Sequence, residues 1–123
     1  MSMLGKRMRL SEAQREFTYD IQKLVRFAYD ELGYELTYGD AYRSPAVHGD
    51  QGARGAARYG ETWSAHKYRL AIDFNLFIEG EYQTATEAFQ LLGDYWESIR
   101  DENVWGGHFK DGNHFSRMWN GIS

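Results

Sequence analysis

Residues 70–78 read Leu-Ala-Ile-Asp-Phe-Asn-Leu-Phe-Ile, and their alternation constrains the fold more than any other stretch. Side chains on a strand point to opposite faces in turn. Leu70, Ile72, Phe74, Leu76 and Ile78 therefore share one face, and Ala71, Asp73, Asn75 and Phe77 share the other. A wholly apolar face has to be covered by a second layer. Asp73 sits in the middle of this run, where a carboxylate is costly unless it is paired or holds a metal. The alternation turns it away from the apolar face.

The flanking segments supply that second layer. Residues 11–32 carry Phe17, Ile21, Leu24, Val25, Ala28 and Leu32 at helical spacing. Ser11 with Gln14 suggests a capping box, and Gly33 suggests the stop. Residues 34–42 read as a strand entering a turn at Arg43-Ser44-Pro45. Residues 49–63, rich in Gly, Ala and Arg, fit either a loop or a short irregular helix. Glu79-Gly80 suggests a turn, with Glu81-Tyr82 as a short return strand. A second helix is predicted over 87–101, capped by Thr86, with Phe89, Leu92, Trp96 and Ile99 as its apolar stripe. Gly106-Gly107 breaks the chain. Asp111-Gly112-Asn113 has turn chemistry, and a hairpin-like segment, Phe115 to Trp119, follows it. This order predicts an α+β fold: a small, mainly antiparallel sheet with helices packed on one face. The opposite face is then free to carry a site.

The composition excludes several functions. The chain has 123 residues and no cysteine. One domain is expected at this length, and disulfides, thiolate metal sites and a cysteine nucleophile are ruled out. The net charge is -4, and no basic run has the footprint of a nucleic-acid binder. No stretch approaches the ~18 apolar residues of a membrane span. The first ten residues lack the apolar core of a secretory signal. The expectation is a protein made in the cytoplasm that reaches any outside target by another route.

Any metal site must then use histidine and carboxylate. The four histidines are His48, His66, His108 and His114. His66 precedes the strand that carries Asp73. His108, Asp111 and His114 lie within Trp105-Gly106-Gly107-His108-Phe109-Lys110-Asp111-Gly112-Asn113-His114-Phe115. Two readings are open for each segment. Asp73 is either paired with an arginine or facing solvent, or else it is a ligand on a rigid strand. The 108–114 segment is either a polar hairpin tip or part of the same centre. Taken together, His66, Asp73 and His114 supply three ligands and leave a fourth position open, which is the pattern of a catalytic zinc site. Asp111, three residues before His114, is placed to act as general base.

These residues also resemble a known family. Ser64-Ala65-His66, with Ala71 and Asp73, is similar to the Ser-x-His-x-x-Gly-x-Ala-x-Asp motif of the zinc D-Ala-D-Ala peptidases. Phage L-alanyl-D-glutamate endopeptidases share that motif. Trp105-Gly106-Gly107 followed by Asp111-x-x-His114-Phe115 resembles the phage endolysin branch in particular. The resemblance implies a hedgehog/D-Ala-D-Ala peptidase-like fold, with zinc held by His66, Asp73 and His114 and with Asp111 as acid/base. It implies that Arg43 stabilises a developing oxyanion, against the alternative of a turn residue paired with Asp40. It places Ser64 within the site or against substrate, while Arg69 and His108 are placed on the substrate side by their nearness in sequence to the candidate ligands.

The implied activity is cleavage of the L-Ala–D-Glu bond in peptidoglycan stem peptides by a monomeric endolysin, acting on the wall after release. The alternatives are a zinc D-Ala-D-Ala carboxypeptidase or dipeptidase, and a non-catalytic zinc-binding virion module. Arg54, Arg58, Lys67 and Arg69 form a possible basic patch for wall contact. Arg69 stands at the family's glycine position. It implies either an ordinary backbone there or a side chain turned toward the cleft.

Overall fold

A computed structural model describes residues 8–39 and 65–120. The first helix, α1, spans Leu10–Arg26. Its last stretch, Phe27–Leu32, widens into a π-helical turn. Gly33 ends it at φ 68°, and Tyr34 N–H closes onto Ala28 O at 2.8 Å. A left-handed residue at a helix end costs glycine little. The predicted stop is thus in place, but the predicted cap is not. The helix starts after Arg9, whose N–H donates to Glu12 Oε1 at 3.0 Å. Gln14 is used elsewhere: its Nε2 donates to Tyr68 O at 2.8 Å, tying α1 to the turn that carries His66.

Strand β1 covers Glu35–Tyr38. Tyr34 and Gly39 flank this strand without joining it, and residues 40–42 of the predicted 34–42 strand, with the whole of 49–63, lie outside the described residues. A 3-10 turn, Ala65–Tyr68, leads into β2, Ala71–Ile78. The turn at Glu79-Gly80 returns the chain as β3, Glu81–Gln83. The second helix begins as a 3-10 turn over Thr86–Phe89 and continues as α2, Gln90–Ile99. It is shorter than the sequence predicts, and Thr86 does not cap it. Thr86 Oγ1 instead accepts from Gly112 N–H at 3.3 Å. The chain then forms β4, Asn103–Trp105, a 3-10 turn over Gly106–Phe109, and β5, His114–Arg117. Strand β4 was not predicted: three residues are too few to show a period.

All strand pairs are antiparallel, in the order β1-β2-β5-β4, with β3 paired to the far half of β2. The predicted α+β class and sheet therefore stand. Ile72, Phe74 and Leu76 are buried with Phe17, Leu24, Leu92, Trp96 and Phe115. Burying one such side chain stabilises by about 1.5–3 kcal/mol. Trp96 packs edge-on against both Phe17 and Phe115 and donates its indole N–H to Ser116 O at 3.0 Å.

A polar tie locks the same layer. Asp20 is fully buried and accepts two hydrogen bonds from Arg100, at 2.7 and 3.1 Å. Its carboxylate raises the Arg100 guanidinium above its ordinary pKa. Arg117, buried on β5, donates to Glu16 at 2.6 Å. Both helices are thereby fixed to one face of the sheet, which leaves Asp73, Asn75 and Phe77 on the other. Among the described residues no helix is long and apolar enough to cross a membrane.

Candidate metal centre

Strand register assembles two of the three predicted ligands. Asp73 on β2 pairs with His114, the first residue of β5, in an unbroken antiparallel ladder. Directly opposed residues share a face, so both side chains leave the sheet together. His114 Nδ1 lies 3.2 Å from Asp73 Oδ1.

The 3-10 turn before β2 brings in the third. His66 is buried, and its Nε2 lies 3.4 Å from the same Oδ1. Arg69 closes that turn at φ 57°. Its N–H donates to His66 O at 3.2 Å, and Leu70 N–H donates to Ala65 O at 3.0 Å. The left-handed conformation is the one glycine adopts most readily. The position at which the motif has glycine therefore carries an arginine in a backbone conformation that favours glycine. The expectation of an ordinary backbone at Arg69 is corrected. Its side chain is exposed.

The three donor atoms lie within 4.8 Å of one another. Tetrahedral zinc with bonds of 2.0–2.1 Å separates its donors by about 3.3 Å. The 3.2 and 3.4 Å separations about Asp73 fit that cradle, and two imidazole nitrogens with one carboxylate oxygen suit zinc chemically. Burial pushes the Asp73 carboxyl up. Hydrogen bonds from His114 and His66, together with their charge, outweigh burial and hold it at about 2. Asp73 is therefore an anion throughout the neutral range.

The loop before His114 is built to tight tolerances. Asp111 N–H donates to Gly106 O at 2.9 Å, and His114 N–H donates to Asp111 O at 3.1 Å. A Cβ on Gly106 would meet Asp111 O at 2.2 Å and His114 Cβ at 2.7 Å. Trp105 donates its indole N–H to Gly112 O at 2.7 Å and anchors the loop from below. Asp111 itself is exposed, in the turn that enters β5. His108 Nε2 lies 2.8 Å from Glu97 Oε2, which also accepts from Trp105 N–H at 2.9 Å. His108 is thus engaged with α2. Thr86, read from sequence as a helix cap, and Trp105 and Gly106, read as part of a motif, all brace the loop that carries Asp111 and His114. The Trp-Gly-Gly run was the available signal. Arg43, Ser64 and His48 lie outside the described residues.

Residues 58–117 match the family model described as D-alanyl-D-alanine carboxypeptidase. The match takes in His66, Asp73, Asp111 and His114. The solved structure of Serratia marcescens L-Ala D-Glu endopeptidase ChiX superposes with a TM-score of 0.67 at 18% identity, covering 95% of this chain and 93% of that one. The chain has the D-Ala-D-Ala peptidase fold. The resemblance read from the two motifs is borne out at that level. No curated protein sequence matches the chain significantly. Within this peptidase fold, the His66–Asp73–His114 group occupies the sheet face that the helices leave uncovered.

Proposed function

We propose that this protein is a zinc-dependent peptidase that cuts the L-Ala–D-Glu bond of peptidoglycan stem peptides. The observation that carries the proposal is the cluster of two imidazoles and one ionised carboxylate, with Asp111 in the turn directly before His114. The fold shared with the Serratia L-Ala D-Glu endopeptidase supports the choice of bond.

His66, Asp73 and His114 would hold the metal. Zinc, when bound, supplies Lewis acidity and lowers the pKa of water to about 7. Asp73 contributes fixed negative charge and orients both rings. Asp111 takes the proton from the attacking water and returns it to the leaving amine, a role worth about 10²–10⁴ in rate. Arg43 is assigned to the charge that develops on the carbonyl oxygen, on the strength of the sequence motif. Ser64 is assigned to the substrate side on the same ground, and Arg69 because its exposed side chain follows the turn that carries His66. The action proposed is lysis of the wall by a phage endolysin released from the cytoplasm in which it is made.

A second reading is favoured by the carboxypeptidase description of the matching family model. In that reading the same centre releases a terminal D-Ala. Mass spectrometry of digested muropeptides separates the two. The L-Ala–D-Glu reading expects glycan ending in L-Ala and peptides beginning with D-Glu. Free D-Ala with an otherwise intact stem would replace it with the second reading.

A further inference from the structure

Among the described residues, the outer face of the sheet continues along β2 beyond the metal centre in one direction only. Toward its start, Ala71 on β2 and Ser116 on β5 are buried, at 1% and 0% exposure. In the other direction the same face of β2 carries Asn75 and then Phe77. Asn75 Nδ2 donates to Thr37 Oγ1 on β1 at 3.2 Å. The Phe77 ring lies 5.4 Å from that of Tyr82, its partner on β3. Tyr82 is 58% exposed. Glu35 on β1 is opposite Phe77 from the other side.

We propose that the Phe77–Tyr82 pair is a subsite for the N-acetylmuramic acid ring of the glycan strand. The inference rests on the stem-peptide reading given above. Four residues of strand separate Asp73 from Phe77, about 13 Å. In a stem peptide the L-Ala is joined to the sugar through a lactyl group. One residue and that group span roughly 7–10 Å from the scissile carbonyl to the edge of the ring. A scissile bond at the metal centre therefore brings the sugar over the two aromatic rings.

Charge selects the same end of the substrate. Glu35 repels the free α-carboxylate of D-Glu, whereas the sugar with its amidated lactyl group is neutral. The C–H-lined face of a pyranose packs on an aromatic ring, and Glu35 and the Thr37–Asn75 pair lie beside it for its hydroxyl and N-acetyl groups.

The test compares hydrolysis of glycan-linked stem peptide with that of the same peptide freed of sugar. Tyr82→Ala is expected to lower kcat/KM about tenfold on the linked substrate, equivalent to about 1.4 kcal/mol, and to leave the free peptide unchanged. Tyr82→Phe, which keeps the ring, is expected to retain wild-type discrimination. Equal effects on both substrates, or none on either, would overturn the subsite. If the wild type cleaves neither substrate, the stem-peptide reading fails instead. Co-sedimentation with insoluble peptidoglycan then still decides the subsite: Tyr82→Ala is expected to pellet less than wild type, and equal pelleting contradicts it.

Discussion

His114 and Asp73 face each other across the β2–β5 ladder, with Nδ1 3.2 Å from Oδ1. Their separation is set by backbone hydrogen bonding rather than by loops, so both donors inherit the rigidity of the sheet. His66 joins them from a turn whose backbone is fixed at Arg69. Sites carried on regular elements hold their geometry more closely than sites carried on loops.

Replacing Asp73 tests the electrostatic side of this arrangement. Its folded-state pKa, about 2, lies below the ordinary aspartate value of about 3.9. The ionised form is therefore the stabilised one. Its contribution is fully present above about pH 4 and is lost as pH falls through about 2, a difference of roughly 2–3 kcal/mol. Denaturant titrations of metal-free wild type and Asp73→Asn are expected to differ most at neutral pH and to converge near pH 2. A constant gap across that range would contradict the pairing.

Asp111 is exposed and holds the backbone turn rather than the ligand set. Asp111→Asn is expected to keep its metal and its folded state while stem-peptide hydrolysis drops by about 10²-fold or more. Hydrolysis within a factor of a few of wild type would remove Asp111 from the proton transfer.

Gly106 has no room for a side chain between Asp111 and His114. Gly106→Ala is expected to displace the turn, costing roughly 1–3 kcal/mol by overpacking, and to weaken zinc binding in the same variant. Unfolding curves and metal titration read the two effects separately.

Arg69 holds a left-handed backbone at φ 57°. Such a conformation costs a non-glycine residue roughly 1–2 kcal/mol. Arg69→Gly is expected to be neutral or stabilising by up to about 1 kcal/mol, after allowing for glycine's larger unfolded-state entropy. A clear loss of stability would mean that the arginine side chain outweighs its backbone strain.

Asp20 is fully buried and bound by Arg100. Arg100→Ala leaves that carboxylate without its main partner, and a loss of about 3 kcal/mol is expected in thermal or denaturant unfolding.

The grouping of His66, Asp73 and His114 as candidate ligands was legible because chemistry and periodicity agree at Asp73: a carboxylate on an apolar strand needs a partner, and alternation gives its face. The apolar stripe of α2 and the turn at Glu79-Gly80 were legible on the same grounds. What failed were local signals that tertiary contacts override. Ser11 and Gln14 fit a capping box, yet Glu12 takes the cap and Gln14 reaches Tyr68. Thr86 fits a helix cap, yet it braces Gly112. Strand β4 is too short to carry a pattern, and it exists because Trp105 and Asn103 pair with Phe115 and Arg117. The family glycine was legible as a motif position. That Arg69 adopts a backbone conformation favouring glycine became visible only in the backbone angle.

Hydrolysis of a glycan-linked stem peptide by chelator-treated protein, followed as zinc is added back, tests the central assignment most directly. Activity is expected to vanish on chelation and to return fully at one equivalent of zinc in the wild type, but not in His66→Ala. Undiminished cleavage by the metal-free protein would contradict the assignment of His66, Asp73 and His114 as a catalytic metal centre.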